Sequence, residues 1–587
     1  MPTAPDDPAR RPTPSPPPDG PGSPPEQAET ASSGGLSRRR FLGVVGAAAA
    51  GAGLAACGGS PARHGVTPGR AAPRRVGGAS TRRAGSATTA RTPSGVEVPV
   101  SPALIEENAK PGTPWWVTTA QVPRSIEGFA GQVSAVVGDR VPLFVNTTAH
   151  SFHVEAYRIG WYHGVGGRLV WRSAEVPGVR QPQPTLAPGV NTVECSWQPS
   201  LQVPIDGRWF PGAYLLKLVG DDGEQQFVPL CVRDDTSTAA VRIQHCVTTW
   251  QAYNLWGGYS LYYGRTVPGF SFTQAPGSGD FANRARIVSF DRPYSYDWAF
   301  GAADFVGNEM PVVLQAERLG LDVTYATDVD LHRDPAGLLR HRCLLSLGHD
   351  EYWSRPMRDG ARNAVEAGVN LAFLGANACY RQIRLQSSPV GPLRHQVCYK
   401  SAAEDPLYGH DNSLVTVNWP QPPVNDPECK LIGSTYQDIG AKADMVVADP
   451  GHWLLAGTGL TAGQHLANVV QGEFDRYMPG EPGPSNVDVV AHSLVANRNG
   501  NYSDVTWYTT AHGGGVLDTG NASWVVNLID DTGGFPADII PPLAPAAGPV
   551  LRRIMENVYS VLGAGPASAT HPSTGTWRAA YEAAPSA

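Results

Sequence analysis

Cysteine is scarce in this sequence: 8 in 587 residues, with no C-x-x-C pair and no short Cys/His cluster. A zinc ribbon or an iron–sulfur site needs thiolates at close spacing, so both are excluded. Basic excess is missing as well, since 45 Lys and Arg face 52 Asp and Glu for a net charge of −7 and a pI near 6.1. Without clustered cations to neutralise phosphates, nucleic acid is excluded as a partner. The apolar run at 43–56 is mostly Gly and Ala, too short and too weakly apolar to cross roughly 30 Å of hydrocarbon. What remains, with 41% apolar and 9% aromatic residues, is enough to bury a core in two or three domains.

Ser37-Arg38-Arg39-Arg40-Phe41-Leu42 sets adjacent arginines before that apolar run, which closes on Leu54-Ala55-Ala56-Cys57. This pattern predicts that residues 1–57 are a twin-arginine signal joined to a lipobox, together with a Pro/Ser-rich disordered N-terminal extension. Cys57 is then the lipidated first residue of the mature chain, anchored to the outer face of a bacterial membrane, with 58–100 as a flexible linker. Twin-arginine export accepts folded cargo, which suits a protein that takes up a metal before crossing. Seven cysteines lie beyond the anchor (Cys195, Cys231, Cys246, Cys343, Cys379, Cys398 and Cys429), and some are expected to pair outside the cell, with at least one left over.

Residues 101–235 alternate with period two. Val141, Leu143 and Val145 lie on one face, as do Tyr214, Leu216 and Leu218, so a β-sandwich is expected there. From 236 to 535 strands alternate with helices: strands at 286–289, 321–327, 343–348 and 369–374, and helices at 303–320, from Pro335, and from a Ser354 cap to Gly368. Strands are also read at 413–417 and 487–491. The series predicts an α/β fold with a flavodoxin/amidotransferase-like doubly wound parallel sheet and β extensions, then a terminal helix at 548–562 and a loose tail within 536–587. Ligands of such a sheet lie beyond the carboxyl ends of its strands. Two unusual segments fall there: Gly348-His349-Asp350-Glu351-Tyr352-Trp353 and Gly375-Ala376-Asn377-Ala378-Cys379-Tyr380.

Tyr352 and Tyr380 at those strand ends, with a carboxylate from Gln471-Gly472-Glu473-Phe474-Asp475, form a hard oxygen donor set. Taken singly, such tyrosines read first as packing residues with capped hydroxyls. Cys379 offers a different chemistry, a thiol at a strand-to-helix turn as in amidotransferase domains, although Arg381 stands where a glycine would follow. Asn377 and Asp350 either orient neighbouring groups or cap their own turns.

These segments resemble the large (beta) subunit family of bacterial N,N-dimethylformamidase. The motifs are GHDEYW at 348–353, GANACY at 375–380, GEFD at 472–475, TTWQAYNLWGGYSLY at 248–262 and GGGVLDTGNASW at 513–524, within a resemblance spanning roughly 100–565. The resemblance implies a mononuclear ferric iron held by Tyr352, Tyr380 and Glu473, which activates water against a small linear amide. It also implies a small-subunit partner, alongside which a homo-oligomer stays open. The family's catalytic histidine two residues before the glutamate is replaced by Gln471, which cannot shuttle a proton near neutral pH. His349 is the candidate proton carrier in its place. Two further readings stand beside the exported amidohydrolase: a Cys379-dependent amidase, and a non-catalytic surface protein. In the second, Trp250, Tyr253, Trp256, Tyr259, Tyr262 and Tyr263 would grip a glycan or peptide.

Overall fold

The computed structural model describes residues 88–583, apart from 119–121, 123, 267–268, 270–271, 273–278, 512 and 531–539. Cys57 and the signal region lie outside the described residues. The chain is mixed α/β, with many strands in several sheets and few helices.

Two sheets share the first core. Ile126–Ala130, Arg140–Thr147 and Leu201–Pro204 form one, while Ser151–Ile159, Gly212–Gly220 and Gln225–Val232 lie in a six-stranded second. The alternating residues meet between them: Val141, Leu143 and Val145 pack with Val154, Leu216, Leu218 and Leu230, all buried.

The central sheet has seven strands in the order Val323–Thr327, Val241–His245, Cys343–Gly348, Asn370–Gly375, Gly515–Asp518, Asn501–Thr509 and Asp488–Val495. The first five are parallel, Asn501–Thr509 runs against them, and Asp488–Val495 pairs antiparallel with Asn501–Thr509. Cys343–Gly348 and Asn370–Gly375 are both fully buried apolar runs, as strands covered on two faces must be. Arg355–Glu366 follows Ser354, which holds extended backbone, and carries Pro356 in its first turn, where a missing N–H costs nothing.

Several expectations change. The helix expected at 303–320 is two, Phe305–Asn308 and Met310–Arg318, because Glu309 leaves helical geometry to bond His245 and Cys246, and Pro311 restarts the second. Ile287–Ser289 is a strand, but it pairs antiparallel with His395–Val397 in a separate sheet. The central sheet instead starts at Val241–His245, a segment whose alternating Arg242 and Gln244 disguise it in sequence. Residues 413–417 form no strand, and Asn412–Leu414 is a 3-10 turn. At 88–100, where a linker is expected, Thr89–Arg91 and Glu97–Pro99 form a hairpin that buries Val98 and Val100 against the core. The expected loose tail carries a helix, Trp577–Ala583, whose Tyr581 stacks on His492 at 4.4 Å and donates to Asp504 at 2.8 Å. All seven described cysteines are buried and unpaired rather than bridged.

The fold also locks its first core to the central sheet. Arg158, in Ser151–Ile159, donates to both oxygens of Glu317 on Met310–Arg318 at 2.8 and 2.7 Å, and neither side chain is exposed.

Candidate active site

Two glycines bring the GHDEYW and GANACY segments together. Gly348 and Gly375 face each other in the parallel register, and a Cβ on Gly375 would lie 1.4 Å from the Gly348 carbonyl oxygen. Gly348 also sits at φ +58°, which side chains resist. Beyond this close approach the segments stay paired: Cys379 N donates to Asp350 O and Arg381 N to Glu351 O, both at 2.9 Å. Tyr352–Ser354 then runs parallel to Arg381–Gln386.

The third segment comes from the strand His465–Arg476, hairpinned with Thr435–Val446. Asn377 N donates to both carboxylate oxygens of Asp475, at 2.9 and 3.0 Å, and Ala522 N donates to Glu473 O at 3.0 Å. Gly472, at φ +80°, lies in a bulged stretch of this hairpin. Gln471 is turned to its own strand: its amide donates to the Asn468 carbonyl at 2.8 Å in exposed surroundings.

The convergence forms a buried chain of acids, a histidine and phenols. His349 Nε2 lies 2.8 Å from Glu473 Oε2 and 3.6 Å from Glu351 Oε2. Burial works against the imidazolium, but Glu473 and then Glu351 outweigh it and lift the histidine to about 10. Glu351 accepts from Tyr253 at 2.7 Å, from Tyr262 at 2.6 Å and from Arg381 Nε at 3.1 Å. Burial opposes that carboxylate, yet Arg381, Lys400 and His349 hold it below its ordinary value.

Tyr352 and Tyr380 lie on two sides of this chain. Lys400 Nζ donates to the Tyr352 hydroxyl at 2.6 Å and rests 3.0 Å from the Tyr262 ring centroid. Burial pushes the ammonium well below its usual range and the Tyr352 phenol well above its own. The Tyr380 hydroxyl accepts from Asn418 at 3.0 Å, its ring lies 5.0 Å from that of Tyr436, and burial pushes the phenol up to about 12. The structure therefore joins His349 to Glu473 directly and places Tyr380 beside Tyr436, whose phenol is raised by burial and by the Glu473 charge. Tyr352 stands across the Tyr253 and Tyr262 pair, with rings 6.3 and 6.4 Å away.

Several atoms here lack partners. The His349 and Glu473 atoms are close but too poorly aligned for a hydrogen bond, and the Tyr436 hydroxyl and both amide atoms of Asn377 are buried without one. Buried polar atoms are normally satisfied, so these unpaired atoms mark the cluster as a candidate site for a polar ligand. Among the described residues no group of three or more His, Cys, Asp and Glu could hold a metal ion, so a cation would need the phenols. Glu473, Tyr380 and Tyr352 each carry an oxygen donor of the type a hard cation takes, and Tyr352, now bonded to Lys400, would offer a phenolate only once its proton is lost.

Other candidates are occupied elsewhere. Asp350 accepts from Ser346 at 2.8 Å and Gln244 at 3.0 Å, which makes it an anchor of the loop. Cys379 is fully buried, and burial pushes its thiol well above the ordinary range, which disfavours the nucleophilic thiolate. Tyr253 and Tyr262 wall the site, whereas Trp250, Trp256 and Tyr259 are core residues. Tyr436, Lys400 and Asn418 belong to no motif: Tyr436 sits in the bulged strand Thr435–Val446, and Lys400 and Asn418 lie outside regular strands and helices. Glu351 was in view inside GHDEYW, and its three buried donors are the feature that marks it.

A family model described as "N,N-dimethylformamidase beta subunit-like, C-terminal" matches residues 153–534, more than half of the chain. Among curated proteins no match is found.

Proposed function

The chain belongs to the N,N-dimethylformamidase beta subunit-like family, and from that premise we propose that it is an exported hydrolase that cleaves the C–N bond of a small amide at the Glu473–His349 cluster. The observation that carries the proposal is the buried contact of His349 Nε2 with Glu473 Oε2 at 2.8 Å, on a strand whose Asp475 holds the backbone of Asn377, a residue with an unpartnered buried amide.

On this reading Tyr352, Tyr380 and Glu473 hold a mononuclear ferric iron, which when bound supplies Lewis-acid polarisation of the amide carbonyl and a more acidic water. The rest of the work falls to the chain. His349, whose Nε2 lies 2.8 Å from Glu473 and 3.6 Å from Glu351, is the group placed to carry a proton to the departing amine. That role replaces the histidine missing at Gln471. Asn377 has a free donor and a free acceptor, which suit the C=O and N–H of an amide and would fix its orientation. Tyr253, Tyr262 and Tyr436 wall the cluster from water, which strengthens each electrostatic contact inside.

The same reading takes the two N-terminal sheets as a β-sandwich and the central sheet as doubly wound. It keeps the twin-arginine lipoprotein signal, with Cys57 as the anchor on the outer face of the membrane. Because the family description names a beta subunit, a smaller partner chain is part of the proposal. Size-exclusion chromatography with light scattering on protein from the native host tests the partner, and membrane release of a Cys57→Ala variant tests the anchor.

The decisive experiment is elemental analysis paired with hydrolysis of dimethylformamide and acetamide. About one iron per chain, a visible phenolate charge-transfer band lost in Tyr380→Phe, and amine release lost in His349→Asn are expected. Iron with no amide turnover would reject the hydrolase and favour the surface-binding reading.

A further inference from the structure

Away from the candidate active site, near the amino ends of Val241–His245 and the edge strand Val323–Thr327, lies a polar pocket of about 90 Å³. Arg242 and Thr324 face each other across the parallel register and both line it. They are only 5% and 4% exposed, yet Arg242 Nε and Nη2 and the Thr324 hydroxyl have no hydrogen-bond partner. Buried donors are rarely left so, and an unpaired buried guanidinium is costlier still.

No wall aspartate makes an ion pair with Arg242, although the charges of Asp330 and Asp334 act on it from farther away. Asp330 is taken by Arg333 at 2.7 Å and by Arg233 at 3.5 Å, Asp334 by Arg340 at 3.2 Å, and Asp235 by Arg233 at 2.8 Å. Asp234 accepts from Thr236 N and Oγ1 within its own turn. Four arginines and four aspartates thus line the pocket, and Arg242 is the guanidinium left without a carboxylate.

We propose that this pocket binds a small carboxylate, gripped side-on by Arg242 with the Thr324 hydroxyl as a third donor. The N–H bonds at Nε and Nη2 lie parallel along one edge of the guanidinium, a fork that matches two oxygens on one carbon. A carboxylate brings one negative charge to the guanidinium that has no ion pair, whereas a phosphate dianion would bring a second charge against wall aspartates that already equal the arginines in number. Burial already holds the Arg242 guanidinium below its ordinary value, as expected of a cation waiting for its counter-ion. The pocket lies where the chain passes from the first core to the central sheet at 233–241, so a bound anion would tie that junction.

The test is calorimetric titration of the full protein with sodium acetate at constant ionic strength, with sodium phosphate as the comparison. Saturable one-site acetate binding is expected, abolished in Arg242→Met and weakened at least threefold in Thr324→Val. Dependence on Arg242 separates this site from any acetate held at the candidate active site. No saturable binding, or equal binding by Arg242→Met, overturns the proposal. Arg242-dependent binding tighter for phosphate than for acetate overturns the carboxylate assignment. If Arg242→Met does not fold, Thr324→Val decides, and unchanged acetate affinity there is refuting.

Discussion

Replacing Glu317 by glutamine keeps the shape of the side chain and removes its charge at a point where four donors converge. These are Arg158 Nη1 and Nη2 at 2.8 and 2.7 Å, the Tyr325 hydroxyl at 2.6 Å and Asn108 Nδ2 at 2.6 Å. The Arg158 and Glu317 side chains are both fully buried, so the variant leaves a guanidinium without a counter-ion in a water-free setting. Breaking one side of such a pair costs about 3–5 kcal/mol. The loss falls at the contact between the first core and the central sheet. Urea denaturation of Glu317→Gln should show that decrease, and limited proteolysis should cut sooner at 233–240, the segment joining the two. The double variant Arg158→Met/Glu317→Leu should recover to within about 1 kcal/mol of the parent, because removing both charges also removes the desolvation penalty. A single variant that loses less than about 1 kcal/mol, or a double variant that loses the sum of the two singles, would refute this account of how the two parts are held.

Gly375→Ala should destabilise by about 3 kcal/mol, read as lost thermal stability, because its Cβ would collide with the Gly348 carbonyl that brings the two loops together. Burial lowers His452 to about 4 against 6.5 unfolded. That depressed histidine contributes stability above pH 6.5, and the contribution is lost as pH falls from 6.5 toward 4, at up to about 1.4 kcal/mol per unit. His452→Gln should therefore flatten the fall in melting temperature over that window, and an unchanged slope would count against it. Iodoacetamide should leave Cys195, Cys231, Cys246, Cys343, Cys379, Cys398 and Cys429 unlabelled in the native protein and alkylate all seven in urea, measured by mass. Rapid native labelling of Cys379 with loss of activity would restore the thiol chemistry that its burial disfavours.

Sequence by itself determined the elements whose signals are local. The alternation at Val141, Leu143 and Val145 marks a strand face because side chains on a strand repeat every second residue. The runs 343–348 and 369–374 mark buried parallel strands because both of their faces are covered. The glycines opening GHDEYW and GANACY were visible too, and with them the loops that would meet. Only the tertiary structure decided what joined them. Arg242 and Gln244 hid the strand that begins the central sheet, since burial of a polar residue depends on partners far along the chain. The bulged stretch around Gly472 set Glu473 toward His349 and left Gln471 on an exposed backbone carbonyl, a turn that no spacing rule encodes. Tyr436 reached the cluster from a bulged strand, and Lys400 and Asn418 from irregular segments. Glu473, Glu351 and Asp304 then raise His349 above its ordinary range, because charges in a buried site act through neighbours in space and not in sequence.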